Sequence, residues 1–263
     1  MTRVAITGMG IISTIGNNVS ENFMSLKTAK HGISRISLLQ TRHENDIMVG
    51  EIKISNQDLI NQLQLPSSNN LTRTALLGAV AAKEALASAK ISNCNDRKTG
   101  FISSTSVGGM DFTEKYFYEY FDNPDIEKYI TSHDGGHSSH EIAEILGLQG
   151  LVSTISTACS SAANAIMLGA RLIKSGKLER VIVGGTDALS KFTINGFKTL
   201  MILSDTYNTP FDQNRKGLNL GEAAAYLVLE AEEVAIADKK EILAFVAGYG
   251  NANDAYHQTA SSE

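Results

Sequence analysis

The sequence predicts a layered α/β fold with a mostly parallel or mixed sheet. Short apolar segments alternate along the chain with longer segments of helical periodicity, which is typical of helices that cover a central sheet. One helical segment, residues 160–175, is apolar nearly all round and is therefore expected to be buried. The chain has 263 residues, 43% of them hydrophobic, which is enough for one large domain or two modest ones.

Six segments are predicted as strands because each is short, apolar and bounded by glycine or threonine. Residues 180–184, Arg-Val-Ile-Val-Gly, give the clearest signal. The six segments are 3–7, 99–103, 151–156, 180–184, 223–230 and 242–248. Helical patterns lie between them, which supports the layered arrangement.

Four segments carry the apolar spacing or the end signals of helices. In the first, Asn70 or Thr72 is positioned to cap the opening turn, and in the second Ser138 and Ser139 have that position. The segments are 71–90, 139–146, 160–175 and 232–240. The last is expected to lie on the surface.

Composition and charge exclude several classes of protein. The formal net charge of −5 argues against a general nucleic-acid binder. No apolar run approaches the roughly 20 residues that a membrane span needs. The chain enters its first strand at once, so we expect no signal peptide, and its two cysteines fit a reducing cytoplasm. Of these, Cys94 lies in a polar loop and is predicted to be exposed and without a role.

The second cysteine lies in the most informative motif, Ser156-Thr157-Ala158-Cys159-Ser160-Ser161-Ala162. A predicted strand enters this motif and the apolar helix leaves it. The unpaired N–H groups and positive partial charge of a helix N-terminus favour thiolate, which is the nucleophilic form. Most free cysteines only fill space. Here the small neighbours would let a carbonyl carbon approach the sulfur, and the Cys159 N–H is positioned to donate to an oxyanion.

Two other patterns resemble ligand-binding motifs, but each favours a structural role. Gly8-Met9-Gly10 suggests a dinucleotide-binding loop, but Ser13 stands where the third glycine belongs and no acidic residue follows a second strand, so a strand-to-loop turn is predicted. His133, His137 and His140 suggest a metal site. Glycines 135 and 136 are expected to break a helix between the first two, so no metal is predicted.

Five motifs together resemble, in order and spacing, the N-terminal half of a β-ketoacyl synthase of the elongating type. They are residues 4–10 with Ser13 and Gly16, residues 156–161, residues 181–188, residues 210–217 with 221–223, and residues 254–259. The resemblance implies a thiolase-like fold, layered α-β-α, with a five-stranded mixed sheet. Residues 1–250 would form the N-terminal synthase domain and residues 251–263 would begin the C-terminal half.

The resemblance also implies a reaction. Cys159 would accept an acyl chain from acyl carrier protein as a thioester, and the carbanion left by decarboxylation of a malonyl unit would attack that thioester. No cofactor is implied. The implied partners are acyl- and malonyl-loaded carrier protein and a second synthase chain, in a homodimer or a heterodimer with a related synthase.

The resemblance assigns roles to further residues. Val107 would line the acyl pocket. Three residues at the mouth of the active site would contact substrate: Asp254, His257 and Thr259. Three charged residues would shape the floor of the site without taking part in catalysis: Asp212, Arg215 and Glu222. By itself, an Asp and an Arg three residues apart favour a structural ion pair.

The chain also departs from the family pattern. The family draws two histidines, a lysine and a second oxyanion-hole N–H from its C-terminal half, and this sequence ends at Glu263. We therefore expect a fragment or a shortened reading frame, inactive in decarboxylation. The alternative is a non-catalytic partner subunit that sets chain length. Retention of Cys159 argues against that alternative, and the expected lack of a second half argues for it.

Overall fold

The computed structural model describes residues 2–95, 98–257 and 262. Its strands are β1 Val4–Ser13, β2 Ile33–Ser34, β3 Val49–Gly50, β4 Thr99–Ser104, β5 Leu151–Ile155, β6 Arg180–Asp187, β7 Ala223–Ala231 and β8 Ala244–Phe245. Its helices are α1 Val19–Lys27, α2 Asn56–Leu63, α3 Arg73–Ser88, α4 Met110–Tyr116, α5 Glu127–Ile130, α6 Gly135–Ile145, α7 Ser161–Lys174, α8 Lys191–Thr199 and α9 Glu232–Ala237. Two short 3₁₀ turns, Pro124–Ile126 and Thr131–His133, flank α5.

Within the described residues, six strands form the main sheet, in the order β5-β4-β6-β7-β1-β8. Strand β4 runs parallel to β5 and β6, and the remaining neighbours are antiparallel, so the sheet is mixed as predicted. The prediction of five strands is wrong, because the two-residue strand β8 pairs with β1 at the edge. Strands β2 and β3 form a separate antiparallel pair that the sequence pattern did not reveal.

Helices cover both faces of the main sheet, which gives the predicted α-β-α layers. Side chains alternate between the faces along each strand. Phe101 and Ile182 pack into the core under α3 and α6, whereas their neighbours Ile102 and Val183 pack into the core under α7. None of the helices in the described part of the chain is both long and apolar enough to span a bilayer.

Helix α3 forms as predicted. The Thr72 hydroxyl caps it by accepting a hydrogen bond from the Ala75 N–H. Gly8 and Gly10, which resembled part of a dinucleotide-binding loop, instead lie where β1 packs against this helix. A Cβ at Gly10 would meet the carbonyl oxygen of Ala81, so glycine allows the close approach of strand and helix.

Helix α6 corrects a second prediction, because it begins at Gly135 rather than near Ser139. The Asp134 carboxylate accepts from the Gly136 N–H and caps the helix, while Ser138 and Ser139 lie buried inside it. Glycine is unfavourable in helix interiors by about 1 kcal/mol. Here the Asp134 cap, and the packing of α6 on α3, offset that cost.

The prediction that Cys94 is exposed is also wrong. Its side chain is only 6% exposed and belongs to the core under α3. The polar residues around it reach solvent, while the loop turns the thiol inward onto apolar neighbours.

Candidate active site

The turn between β5 and α7 holds Cys159 and exposes it to solvent. Ala158 adopts the left-handed conformation, with φ 51°, which is uncommon for a residue with a Cβ. A strained residue beside a candidate nucleophile is typical of functional turns. The predicted strand, turn and helix are therefore all present.

Hydroxyl groups tie this turn together. The Thr157 N–H donates to the Ser161 Oγ over 2.8 Å, and the Ser161 hydroxyl donates to the Ala158 carbonyl over 2.6 Å. Asn164, one turn into α7, donates to the Thr157 hydroxyl over 2.8 Å. The cysteine is thus presented by a turn whose small polar side chains hold the backbone in place.

Helix α7 is buried on one side only. Its N-cap residue, Ser160, accepts no capping hydrogen bond with its side chain within the described chain, so N–H groups of the first turn remain available next to Cys159. Ala165 and Ile173 pack against the sheet, whereas Ala162 and Ala163 are exposed. The expectation of a helix buried all round is wrong for the described residues.

The loop after β4 lies next to this turn. The Thr105 N–H donates to the carbonyl of Ile155, the last residue of β5. Oδ1 of Asp187, at the end of β6, accepts from the Thr105 hydroxyl (2.6 Å) and from the Ser106 N–H (2.8 Å). Because parallel strands bring their carboxyl ends to one edge, β4, β5 and β6 place these groups together.

Val107 is half-buried in this loop and lines a cavity of about 660 Å³, and its role in an acyl pocket stays a prediction. The cavity also reaches Ser156, three residues before Cys159. Its full lining is Thr105, Ser106, Val107, Gly108, Met110, His133, Asp134, Gly135, Gly136, Thr154, Ser156 and Phe192.

The segment predicted for the mouth of the site approaches α7 through Asn251, which donates to the Asn164 Oδ1 over 2.9 Å. Asp254 and His257 follow and are exposed. The N–H and the hydroxyl of Ser262 donate to the Asp254 carboxylate and hold its pKa below the usual range. Thr259 lies outside the described residues. Contact of these three residues with substrate stays a prediction.

The three predicted floor residues do not form one cluster. Glu222 is 3% exposed and forms a bidentate pair with Arg73, at 2.6 and 2.9 Å, while also accepting from the Ile52 and Leu189 N–H groups. Asp212 and Arg215 are exposed in a separate turn, where the Arg215 guanidinium donates to the Asp212 carbonyl rather than to a carboxylate. Glu222 therefore pairs with Arg73, at the start of α3, and not with Arg215.

The three histidines of the possible metal site share no common contact among the described residues. His133 Nδ1 lies 3.1 Å from the Thr113 hydroxyl, and His137 Nε2 lies 3.1 Å from the Glu141 carboxylate. His140 is exposed on α6. Within residues 2–95 and 98–257, His, Cys, Asp and Glu side chains form no group of three arranged to hold a metal ion.

Sequence reasoning did not identify two residues that shape the site, Asp187 and Asn164. Asp187 ends the glycine-containing strand β6 and belongs to one of the five motifs, but its partner Thr105 is 82 residues away. Asn164 interrupts an otherwise small and apolar helix, and that single polar position was the available signal.

Comparison with known proteins identifies the class. The family model described as β-ketoacyl synthase, N-terminal domain, matches residues 1–235. A 3-oxoacyl-[acyl-carrier-protein] synthase 2 of Staphylococcus aureus is 31% identical over 271 residues, which cover 98% of this chain and 64% of that protein. The chain therefore belongs to the β-ketoacyl synthase family, and it spans about two thirds of the length of this relative.

Solved structures agree on a thiolase-like fold. The ishigamide ketosynthase/chain length factor superposes with a TM-score of 0.90 at 27% identity, over 98% of this chain and 66% of that one. A type II polyketide ketosynthase, in complex with its acyl-carrier protein, has a TM-score of 0.81 at 25% identity, over 97% of this chain and 64% of that one.

Proposed function

We propose that this chain carries the acyl-accepting part of a 3-oxoacyl-[acyl-carrier-protein] synthase. The Cys159 thiolate attacks the thioester carbonyl of an acyl chain, a new carbon–sulfur bond forms, and the carrier-protein thiol leaves with a proton. Where a C-terminal half supplies the decarboxylating residues, a malonyl unit then loses carbon dioxide, and its carbanion displaces Cys159 to give a 3-oxoacyl chain. The observation that carries the proposal is an exposed cysteine in a hydrogen-bonded turn at a helix N-terminus, where Ser156 of the same motif lines a cavity.

The proposal includes the partners and the organisation of the chain. Residues 1–250 form the N-terminal synthase domain and residues 251–263 begin the C-terminal half. Acyl carrier protein is the acyl donor, which is supported by the relative whose structure holds its carrier protein. A second synthase chain, identical or related, completes a dimer. A cytoplasmic location fits a reaction that needs an exposed, reduced thiol.

A second candidate function is a non-catalytic subunit that sets chain length. The structural likeness to a ketosynthase/chain length factor supports it. The two candidates differ at Cys159, because a subunit without catalysis has no need to form a thioester.

The test is acylation of the full chain by octanoyl carrier protein, followed by intact-mass and peptide-mass analysis. The synthase proposal expects one octanoyl group on Cys159, lost in Cys159→Ala and retained in Cys94→Ala. If the chain stays unmodified but raises the turnover of a separately supplied active synthase, the subunit function stands instead. Acylation of Cys94 alone would contradict both candidates.

A further inference from the structure

The segment that follows β8 lies along helix α7 and runs toward the N-terminal end of that helix. The centre of the Tyr249 ring lies 5.4 Å from the Arg171 guanidinium and 5.1 Å from the Lys174 ammonium, both in the last turn of α7. Asn251, two residues later, contacts Asn164 near the first turn. Contacts at the two ends of α7 therefore bring residues 249–251 to the turn that presents the thiol.

The Asn164 side chain joins the residues on either side of Cys159. Its amide nitrogen donates to the Thr157 hydroxyl oxygen over 2.8 Å and to the Ser160 hydroxyl oxygen over 3.3 Å. Ser160 in turn donates to the Thr157 carbonyl over 2.8 Å. Because Thr157 precedes the cysteine and Ser160 follows it, these bonds close the turn across its two ends.

The oxygen of the same amide faces Asn251. Oδ1 of Asn164 accepts from the side-chain nitrogen of Asn251 over 2.9 Å. The hydroxyls of Thr157 and Ser160 can either donate or accept, so they tolerate both orientations of the Asn164 amide. The nitrogen of Asn251 can only donate, and it therefore selects the orientation in which the Asn164 NH₂ group points at the turn. Asn164 is 9% exposed, so water has little access to replace a lost bond.

We infer that Asn164 is a positioning residue for Cys159, and that Asn251 fixes the orientation of its amide. This inference rests on the proposed acylation of Cys159. Attack on a thioester carbonyl needs the sulfur and the Cys159 N–H in a fixed arrangement, because the N–H donates to the oxygen that becomes negative. Without either asparagine contact, Cys159 stays exposed and nucleophilic but is less well placed for that attack.

The experiment compares two reactions of Cys159, each followed by peptide mass: acylation by octanoyl carrier protein at saturation, and alkylation by iodoacetamide. Both reactions need the thiolate, so the ratio of their rates does not depend on the thiolate fraction. Only acylation needs the oxyanion donor. Asn251→Ser is one bond too short to reach Asn164 and should lower the acylation-to-alkylation ratio by about 2- to 10-fold, the effect of one net hydrogen bond. Asn164→Leu, of similar size and without polar atoms, should lower it at least as much.

A double variant tests whether Asn251 acts through Asn164. If it does, Asn164→Leu combined with Asn251→Ser has the same ratio as Asn164→Leu alone, because the second change removes a bond that is already lost. Asn253→Ser is the matched control. Asn253 lies in the same exposed segment and accepts from the Ala255 N–H, a bond that serine can also accept, so its ratio should equal that of the unaltered chain.

Urea unfolding checks that each variant is folded. If Asn164→Leu is not, Asn251→Ser and Asn253→Ser decide the result, since both alter exposed positions. The inference is overturned if Asn251→Ser keeps the ratio of the unaltered chain, if Asn253→Ser lowers the ratio equally, or if the losses of the two single variants multiply in the double variant. If octanoyl carrier protein does not acylate the unaltered chain while iodoacetamide alkylates Cys159, the proposed function itself fails, which is a different result.

Discussion

The Asp187 carboxylate and the Thr105 hydroxyl, at the carboxyl ends of neighbouring parallel strands, are joined by a 2.6 Å hydrogen bond. Thr105 uses the same oxygen to accept from the Gly108 N–H over 3.0 Å. The two bonds form a chain from β6 through the loop that presents Val107. A charged acceptor makes such a bond stronger than a neutral one, so Asp187 is a positioning residue for the cavity wall.

Replacing Asp187 by Asn should loosen that wall. The amide keeps the shape of the side chain but loses the charge that strengthens the bonds to Thr105 and Ser106. We expect Cys159 acylation to slow by about 10-fold, equivalent to about 1.4 kcal/mol, with a smaller loss of unfolding free energy. Acylation kinetics by intact mass, alongside urea unfolding, provide the measurement. Asp205→Asn, at an exposed position, is the matched control, and equal kinetics in both variants would contradict the role.

The two thiols should differ sharply in their reaction with iodoacetamide. Cys159 is exposed and Cys94 is buried, so alkylation of the folded chain is expected at Cys159 first, with Cys94 following only after denaturant is added. Because Cys94 is buried, it is a poor reference for intrinsic reactivity. A free cysteine derivative at the same pH is the better one. Peptide-mass mapping reports the site, and early modification of Cys94 would contradict the described burial.

Local sequence signals predicted the parts of this fold that depend on neighbouring residues. The Cys159 turn and helix α3 with its Thr72 cap were predicted because each carries its information within a few positions. The start of α6 was not, since Asp134 can cap a glycine-led helix only when the following face has a partner to pack on.

Long-range partners account for most of what the sequence did not reveal. Glu222 and Arg73 are 149 residues apart, and neither is marked by its local pattern as half of a buried pair. The polar neighbours of Cys94 predict an exposed side chain. A side chain in a loop can nevertheless turn inward when apolar core residues lie beneath the loop. The strand, turn and helix that present Cys159 were predictable from its local motif, while the supporting contacts of that turn required the fold.

The ion pair of Arg73 and Glu222 allows a test of this contact between distant parts of the sequence. Both side chains are largely buried, and removing one member leaves the other charge without its partner. We expect Arg73→Met to lower the unfolding free energy by about 3–5 kcal/mol, as measured by urea denaturation. The double variant Arg73→Met with Glu222→Gln should recover part of that loss.

An exposed pair in the same chain serves as the control for that measurement. Arg3 and Glu232 lie 2.8 Å apart with the arginine side chain 59% exposed, so Arg3→Met should cost no more than about 1 kcal/mol. Similar losses for the two arginine variants would contradict the burial of Arg73 and Glu222.

Glu141 predicts a pH dependence of stability. Burial, together with the negative charge of Asp111, raises the pKa of Glu141 from its ordinary 4.5 to about 8. Between those values the folded chain keeps a proton that the unfolded chain has released, so the unfolding free energy falls as pH rises from 4.5 to 8.

Glu141→Gln should remove that decline, because the amide stays neutral at every pH and keeps the shape of the protonated acid. Above pH 8 the variant is expected to be more stable than the unaltered chain by up to about 5 kcal/mol, and near pH 4.5 the two should converge. Urea unfolding at several pH values measures this. Glu127→Gln, at an exposed position, controls for the change of net charge. Parallel pH profiles for the unaltered chain and Glu141→Gln would show that Glu141 ionises normally in the folded state, since only a proton held in the fold can make the two curves diverge.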